Sequence, residues 1–541
     1  MRGYMNKRIF SSLSMAVMAA VLALSVFSSV PVKAEAAGKG AVTINSVSIS
    51  GENVIVNVSA SDLPDSDDGA FYLFAEKPYQ GAPAGAPIAS LPISGSAVFS
   101  VPLGYQTTSC RLYDKFQVAV KQGGAFVAVA GAKYITNPEA LAGGGSQARK
   151  NNGKKGLILD GAKIGNGNTE VVQLGVQQGA YNINLTDVIG GNGGIQYGYN
   201  GKTYYFDSAY MSQYDHCVRT STNQGMGMTM VLLNPYSSGE EFMISPTARG
   251  GIGRAPYYLM NTSEDNGLEY LEAVVSFLAS RYNGRNGCGQ VDNWVIANEI
   301  NAKNAWNYSS VTDQMTYAQL YADSVRVCYN AIKSRNANAY VCISLDQNWT
   351  RIHNGSYFSA RSMLDAFNAC ITAQGNIDWC LAEHPYNYPM NWTSFWTPKN
   401  PAMITHSIDT PFISMENIEQ LTDYMCQPAF RNSKGAVRPI LLTEVGYSST
   451  QGEEAQAAAI VYAYQRCVTN QYIKLITFNR QTDYPVEMAQ GLSLGLTRPD
   501  GSRKLSWEFF QQMNGGNAGA YIGRAASYMG ITDWNAAMHA R

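Results

Sequence analysis

Residues 440–478 read ILLTEVGYSSTQGEEAQAAAIVYAYQRCVTNQYIKLITF, and this stretch sets the fold class. An apolar run from Ile440 to Glu444 is followed by a segment that carries Ala457, Ile460, Val461, Tyr464 and Val468 at helical spacing. A second apolar run, Ile473 to Phe478, closes it. Two short apolar runs joined by an amphipathic helix predict parallel strands, because the crossover helix returns the chain to the end of the sheet it left. The same texture extends upstream. Strands are expected at Ala180 to Leu185, Met228 to Asn234, Trp294 to Glu299, Tyr340 to Leu345 and Ile377 to His384, with a weaker one near Pro256 to Met260. Between them lie two more helical patterns. In one, Ser263 is placed to cap a helix with Glu264 and Asp265 in its first turn and Leu268, Leu271, Val275 and Leu278 on one face. In the other, Tyr317, Tyr321, Val325, Cys328 and Ile332 share a face. About eight strands fit between residues 156 and 515, so the expected fold is α/β, a closed (β/α)8 barrel, with an open doubly wound sheet as the alternative. No GxGxxG or Walker loop follows a strand, which counts against nucleotide binding.

The flanking regions differ in texture. Residues 41–137 alternate at period two, as in Val54, Val56 and Val58 after the turn Gly51-Glu52-Asn53, and in the hairpin expected around Gly123-Gly124. They read as a small all-β sandwich that covers the main domain or, alternatively, binds carbohydrate. Residues 138–155, rich in Gly, Asn and Lys, read as a linker, and the Gly/Ala-rich, aromatic residues 516–541 as a tail without a functional reading. At the front, Arg2, Lys7 and Arg8 precede an apolar run from Met15 to Val26 and then small residues, so residues 1–36 are expected to be a cleaved export signal. The expected product is secreted and extracellular, with no membrane span after cleavage.

Composition narrows the partners. There are 39 Lys+Arg against 40 Asp+Glu, and charged residues make up only 15% of the 541. Without net basicity, phosphate neutralisation cannot drive binding, so nucleic acid is excluded as the natural partner. The 34 Tyr and 8 Trp suit neutral, hydroxyl-rich ligands. The nine cysteines show no CxxC or Cys/His spacing and the five histidines no HExxH, so neither a metal nor another cofactor is expected. The oligomeric state is not written in the sequence.

Reactive groups in such a barrel collect at the C-terminal strand ends. Here two expected strands, counted as fourth and seventh, end in Asn298-Glu299 and Thr443-Glu444. Period-two alternation puts Glu299 on the face of Val295 and Ala297, and Glu444 on the face of Ile440 and Leu442, so both are expected to reach the barrel mouth. A pair of carboxyl groups about 5–5.5 Å apart is what retaining glycoside hydrolysis requires, one as acid and the other as nucleophile. Asp160, Asp346, Glu383 and Asp483 are competing carboxylates. Glu383 falls on the outer face if His384 points inward.

Asn298-Glu299-Ile300-Asn301, His384-Pro385-Tyr386 and Thr443-Glu444-Val445-Gly446-Tyr447 resemble motifs of the large clan of retaining (β/α)8 glycoside hydrolases. Leu174-Gly175-Val176, Tyr181 to Leu185, Phe478 to Asp483 and Gly491 to Leu496 are similar to a bacterial family of unknown function grouped with those barrels, over roughly residues 110–515. The resemblance implies Glu299 as acid/base, Glu444 as nucleophile and Asn298 on the hydroxyl beside the anomeric carbon. It also implies Tyr386 donating to Glu444 and His384 lining the same subsite. The chain departs from the clan in Ile300, where Pro is usual, and in Phe478-Asn479-Arg480, where many members carry Trp. Glycone specificity therefore does not transfer. Arg480 either binds substrate or pairs internally with Asp483 or Glu487; Asn184 is expected to face the mouth from the first strand. Trp306, Trp349, Trp392 and Trp396 follow strands and offer faces for sugar rings. The readings kept beside hydrolysis are a carbohydrate-binding or cell-surface protein with a degenerate barrel, and an envelope transglycosylase. The missing GxSxG elbow disfavours an esterase.

Overall fold

The structure is a computed structural model that describes residues 42–81, 83–150, 152–352 and 358–541. The export-signal reading of residues 1–36 lies outside the described residues. The N-terminal region is two antiparallel sheets. One pairs Val42–Ser50, Asn53–Ala60 and Ser96–Pro102; the other is built on Ala70–Glu76, Ala89–Pro92, Lys115–Gln122, Ala125–Ala128 and Lys133–Tyr134. The Lys115–Gln122 and Ala125–Ala128 strands meet at Gly123-Gly124, both with positive φ (61° and 80°), the conformation a two-residue hairpin turn needs. Alternation buries Val54, Val56 and Val58 inside the sandwich.

Eight parallel strands then close into a barrel: β1 (Lys155–Ile158), β2 (Gln178–Asn184), β3 (Gly227–Leu233), β4 (Asn293–Ile296), β5 (Tyr340–Asp346), β6 (Cys380–His384), β7 (Ile440–Val445) and β8 (Ile473–Phe478). β1 hydrogen-bonds to both β2 and β8 and completes the ring. The closed barrel is the expected fold, but two strands are reassigned. The segment expected to be a linker ends in β1, so Ala180 to Leu185 belongs to the second strand and Met228 to Asn234 to the third. Pro256 to Met260 is not a barrel strand, because its backbone pairs only through single bridges to Ile244 and Tyr308 in neighbouring loops.

The interior is filled by Val231, Leu233, Val295, Cys342, Cys380, Ala382, Leu441 and Leu475. The outward residues of each strand pack under helices such as Asp265–Arg281, Gln314–Lys333 and Glu453–Val468. Asp265–Arg281 starts at Glu264 rather than at a Ser263 cap: no side chain caps it, and Glu264 instead meets the Arg249 guanidinium. All nine cysteines are free thiols, and six of them are buried.

The sandwich is fastened to the barrel by side chains from both. Asn330, on helix Gln314–Lys333, donates to the Leu112 carbonyl at 2.9 Å in a buried contact, Arg326 stacks 4.7 Å over the Tyr134 ring, and Tyr113 and Tyr199 share a hydroxyl hydrogen bond. One continuous apolar core runs from Val42 to Met538. The tail forms helices Ala518–Met529 and Trp534–Ala537, the first of them against Glu453–Val468. No helix among the described residues is long and apolar enough to cross a membrane.

Candidate active site

The mouth of the barrel is shaped by two interruptions of strand geometry. β4 ends at Ile296, and then Ala297 (φ 62°) and Glu299 (φ 40°) both adopt the left-handed conformation. For a non-glycine residue this costs roughly 1–3 kcal/mol, so the surroundings must hold it. The Glu299 N–H donates to Ser344 Oγ on β5 at 3.0 Å, which anchors the turn. On β7 the register slips between Leu442 and Val445. Strict alternation is therefore the wrong reason for the placement of both glutamates. Leu441, not Ile440 or Leu442, faces the interior, and Ala297 packs into the outer core while Val295 faces inward. Gly446 follows because a Cβ there would sit 2.7 Å from the Asn479 carbonyl oxygen, and β7 and β8 must approach closely at this end.

Strand β6 addresses both carboxyl groups. His384 Nδ1 lies 2.8 Å from Glu299 Oε1, and its Nε2 lies 3.0 Å from Thr443 Oγ1. Two residues on, the Tyr386 hydroxyl donates to Glu444 Oε1 at 2.7 Å. Asn479, at the end of β8, donates from Nδ2 to the Tyr386 oxygen at 3.0 Å. Burial raises the Glu299 carboxyl to about 7; the nearby charges of Asp346 and Glu444 push the same way, and His384 offsets part of the rise. For His384, burial opposes the charged ring. The hydrogen bond to Glu299 and the negative charges of Glu444, Glu299 and Asp346 outweigh it and move its pKa upward.

The remaining sequence-derived residues fall into two groups. Asn298 is half-buried between Ala297 and Glu299. Arg480 donates to Asn479 Oδ1 at 3.0 Å, and its guanidinium is 3.1 Å from Glu487 and 4.8 Å from the Tyr484 ring, so Glu487 and not Asp483 is its ionic partner. Trp306 is 37% exposed and stacks on Tyr257, with centroids 6.2 Å apart. Tyr257 packs over the barrel interior and feels the charge of Glu444, which locates the aromatic pair at the mouth. Asn184 caps the end of β2, the second strand, and donates to Asp187 at 2.8 Å. Trp349 offers no face, since it is fully buried and its indole donates to the Ile408 carbonyl. Trp392 donates to the Thr397 carbonyl and Trp396 packs against Phe395 and Tyr528.

The competing carboxylates have structural work or are shut away. Asp160 caps residues 161–166, Asp483 pairs with Lys504 at 2.8 Å, and Asp346 accepts from Asn301 and Asn348 beside His384. Glu383 points out of the barrel and is fully buried; among the described residues neither of its oxygens has a hydrogen-bond partner, and burial pushes its carboxyl well above the ordinary range. Sequence reasoning missed Tyr257 and Ser344. Tyr257 was hidden inside a false strand, and Ser344 has no motif around it.

Among solved structures, the chain is similar to a family 39 glycoside hydrolase from Bacteroides cellulosilyticus WH2, at 16% identity and TM-score 0.44, over 83% of this chain and 78% of that one. It is also similar to the exo-beta-1,4-mannosidase Op5Man5 from Opitutaceae bacterium strain TAV5 (16% identity, TM-score 0.41, 67% of this chain and 56% of that one). A third is a glucosidase from Croceicoccus marinus (13% identity, TM-score 0.40, 68% of each chain). No curated protein matches it. Residues 147–537 match a family of unknown function, and the chain belongs to that family, DUF5722.

Proposed function

We propose that this chain is a retaining glycoside hydrolase that cleaves a poly- or oligosaccharide by double displacement. The observation that carries the reading is the unlike treatment of two glutamates at one barrel mouth. Glu299 is held near neutral pKa by burial, and Glu444 is gripped through one oxygen by Tyr386. In this mechanism Glu299 protonates the leaving glycosidic oxygen while Glu444 Oε2, the oxygen that Tyr386 leaves free, attacks the anomeric carbon. Water then enters, Glu299 takes its proton, and the glycosyl–Glu444 bond breaks. Asn298 is the candidate for the hydroxyl beside the anomeric carbon. Trp306 on Tyr257 offers a stacking face for a sugar ring, and His384, Arg480 and Asn184 complete the candidate subsites. No step requires a metal or another cofactor. The apolar run and small residues within 1–36 support action outside the cell.

The test is to incubate the chain and its Glu444→Gln variant with a broad panel of plant, algal and microbial glycans and to read released saccharides by mass. Release by the wild type alone supports the proposal. Glycan binding without products from either form would favour the binding-protein reading, and an excess of transfer products would point to transglycosylation.

A further inference from the structure

The sequence gives no metal-ligand spacing, yet the fold brings two of the chain's five histidines together with a buried glutamate. His406 lies in the long segment after β6, Glu419 in the first turn of helix Ile418–Met425, and His539 just beyond helix Trp534–Ala537. One ligand atom from each lies within 4.8 Å of the others. We propose that His406, Glu419 and His539 form a binding site for a divalent transition metal ion, Zn2+ in the first instance, that ties the segment after β6 to the tail.

Four observations support the site. Glu419 is 1% exposed, and its Oε2 accepts from Arg466 at 2.5 Å, which orients the carboxylate and turns Oε1 toward the histidines. His406 Nδ1 lies 2.6 Å from that Oε1, so one proton now occupies the lone pairs a metal would take. Arg466 also donates to the Ala537 carbonyl at 2.7 Å, and this contact delivers His539 to the cluster. Both imidazoles are open to solvent, which provides an entry path.

The chemistry selects the ion. Two imidazole nitrogens with one carboxylate suit Zn2+ and its neighbours, whereas Mg2+ and Ca2+ prefer oxygen alone. Tetrahedral ligands about 2.1 Å from zinc lie about 3.4 Å from one another. The present separations therefore need only side-chain rotation of the exposed imidazoles to close. Binding releases the proton shared by His406 and Glu419 to solvent, so affinity should fall on acidification. Nothing in this proposal rests on the catalytic reading.

The experiment is calorimetric titration of ZnCl2 into EDTA-stripped, dialysed protein, with MgCl2 as control and Co2+ absorption as a geometry probe. One Zn2+ per chain, a tetrahedral Co2+ spectrum and no Mg2+ heat are expected. His539→Ala should lose more than about tenfold in affinity. Its metal-free melt should match the wild type, since His539 is exposed and, among the described residues, its ring stacks on His406 alone. Absence of stoichiometric Zn2+ binding, or binding that survives the His406→Ala/His539→Ala double substitution, would overturn the proposal and leave a hydrogen-bonded imidazole stack.

Discussion

The unusual state of Glu299 is a statement about stability as well as chemistry. In the unfolded chain this carboxyl loses its proton near its ordinary value of 4.5, and in the fold it keeps it to about 7. Between those values the unfolded chain gains by ionising and the folded one does not, so the wild type loses stability as pH rises through the window. The loss is complete above about 7. Two and a half units correspond to about 3 kcal/mol, and the Glu299 side chain is only 12% exposed, so solvent screens little of it.

Glu299→Gln removes this liability while keeping a polar group beside His384. At pH 4.5 the variant should melt close to the wild type, and at pH 8 it should be the more stable. An unfolding entropy of about 2.1 cal/mol/K per residue gives roughly 1 kcal/mol/K for about 500 residues, so the gap should widen by about 3 °C. Circular dichroism melts of both proteins across pH 4.5–8 measure it, because buried acids out of reach of Glu299 and His384 are common to both and cancel. A gap that stays constant across that range would refute the reasoning, for it would mean that Glu299 titrates alike in the folded and unfolded chains.

Other expectations follow from the same contacts. Tyr386→Phe removes a hydrogen bond to a charged group, about 1.5–3 kcal/mol, and should lower kcat about 10- to 100-fold on any glycan the wild type cleaves; an unaltered rate would dismiss Tyr386 as a support for Glu444. Trp306→Ala should raise KM by up to about tenfold with kcat kept, the value of one aromatic contact, and a pure kcat effect would speak against a stacking role. Leu441→Ala opens a cavity inside the barrel and should cost about 2–5 kcal/mol, seen as a lower melting temperature; a neutral result would contradict its interior position. Asn330→Ala leaves the Leu112 carbonyl unpaired at about 1–3 kcal/mol, and an unchanged melt would show that the sandwich does not depend on this contact.

The strand–helix repeat that was legible lay where elements are long. Each of β4, β5, β7 and β8 was preceded or followed by an amphipathic helix legible in the sequence, and periodicity finds such pairs. β1 has four residues, Lys155 to Ile158, after a run of Gly, Asn and Lys; it is a strand only because β2 and β8 lie on either side of it when the ring closes. Pro256 to Met260 has strand composition, but its partners are loop residues 244 and 308, which no local pattern announces. The two glutamates lie at the mouth, but alternation is not what puts them there. Alternation would have turned Glu444 away from Leu441, and the register slip in β7 turns it back.

What the sequence could not express is how one strand serves two unlike carboxyl groups. His384 and Tyr386 are two residues apart at the end of β6, so they share a face, and each takes one glutamate. His384 brings an imidazole to Glu299, where burial and the charge of Asp346 favour a retained proton. Tyr386 brings a hydroxyl to Glu444, fixed from behind by Asn479 on β8. Asn479, at the end of β8, supplies the donor that orients Tyr386. Glu299 therefore depends on contacts among β4, β5 and β6, and Glu444 on contacts among β6, β7 and β8. β6 and the residues just after it are common to both, and His384, which also feels the charge of Glu444 and contacts Thr443, couples the two.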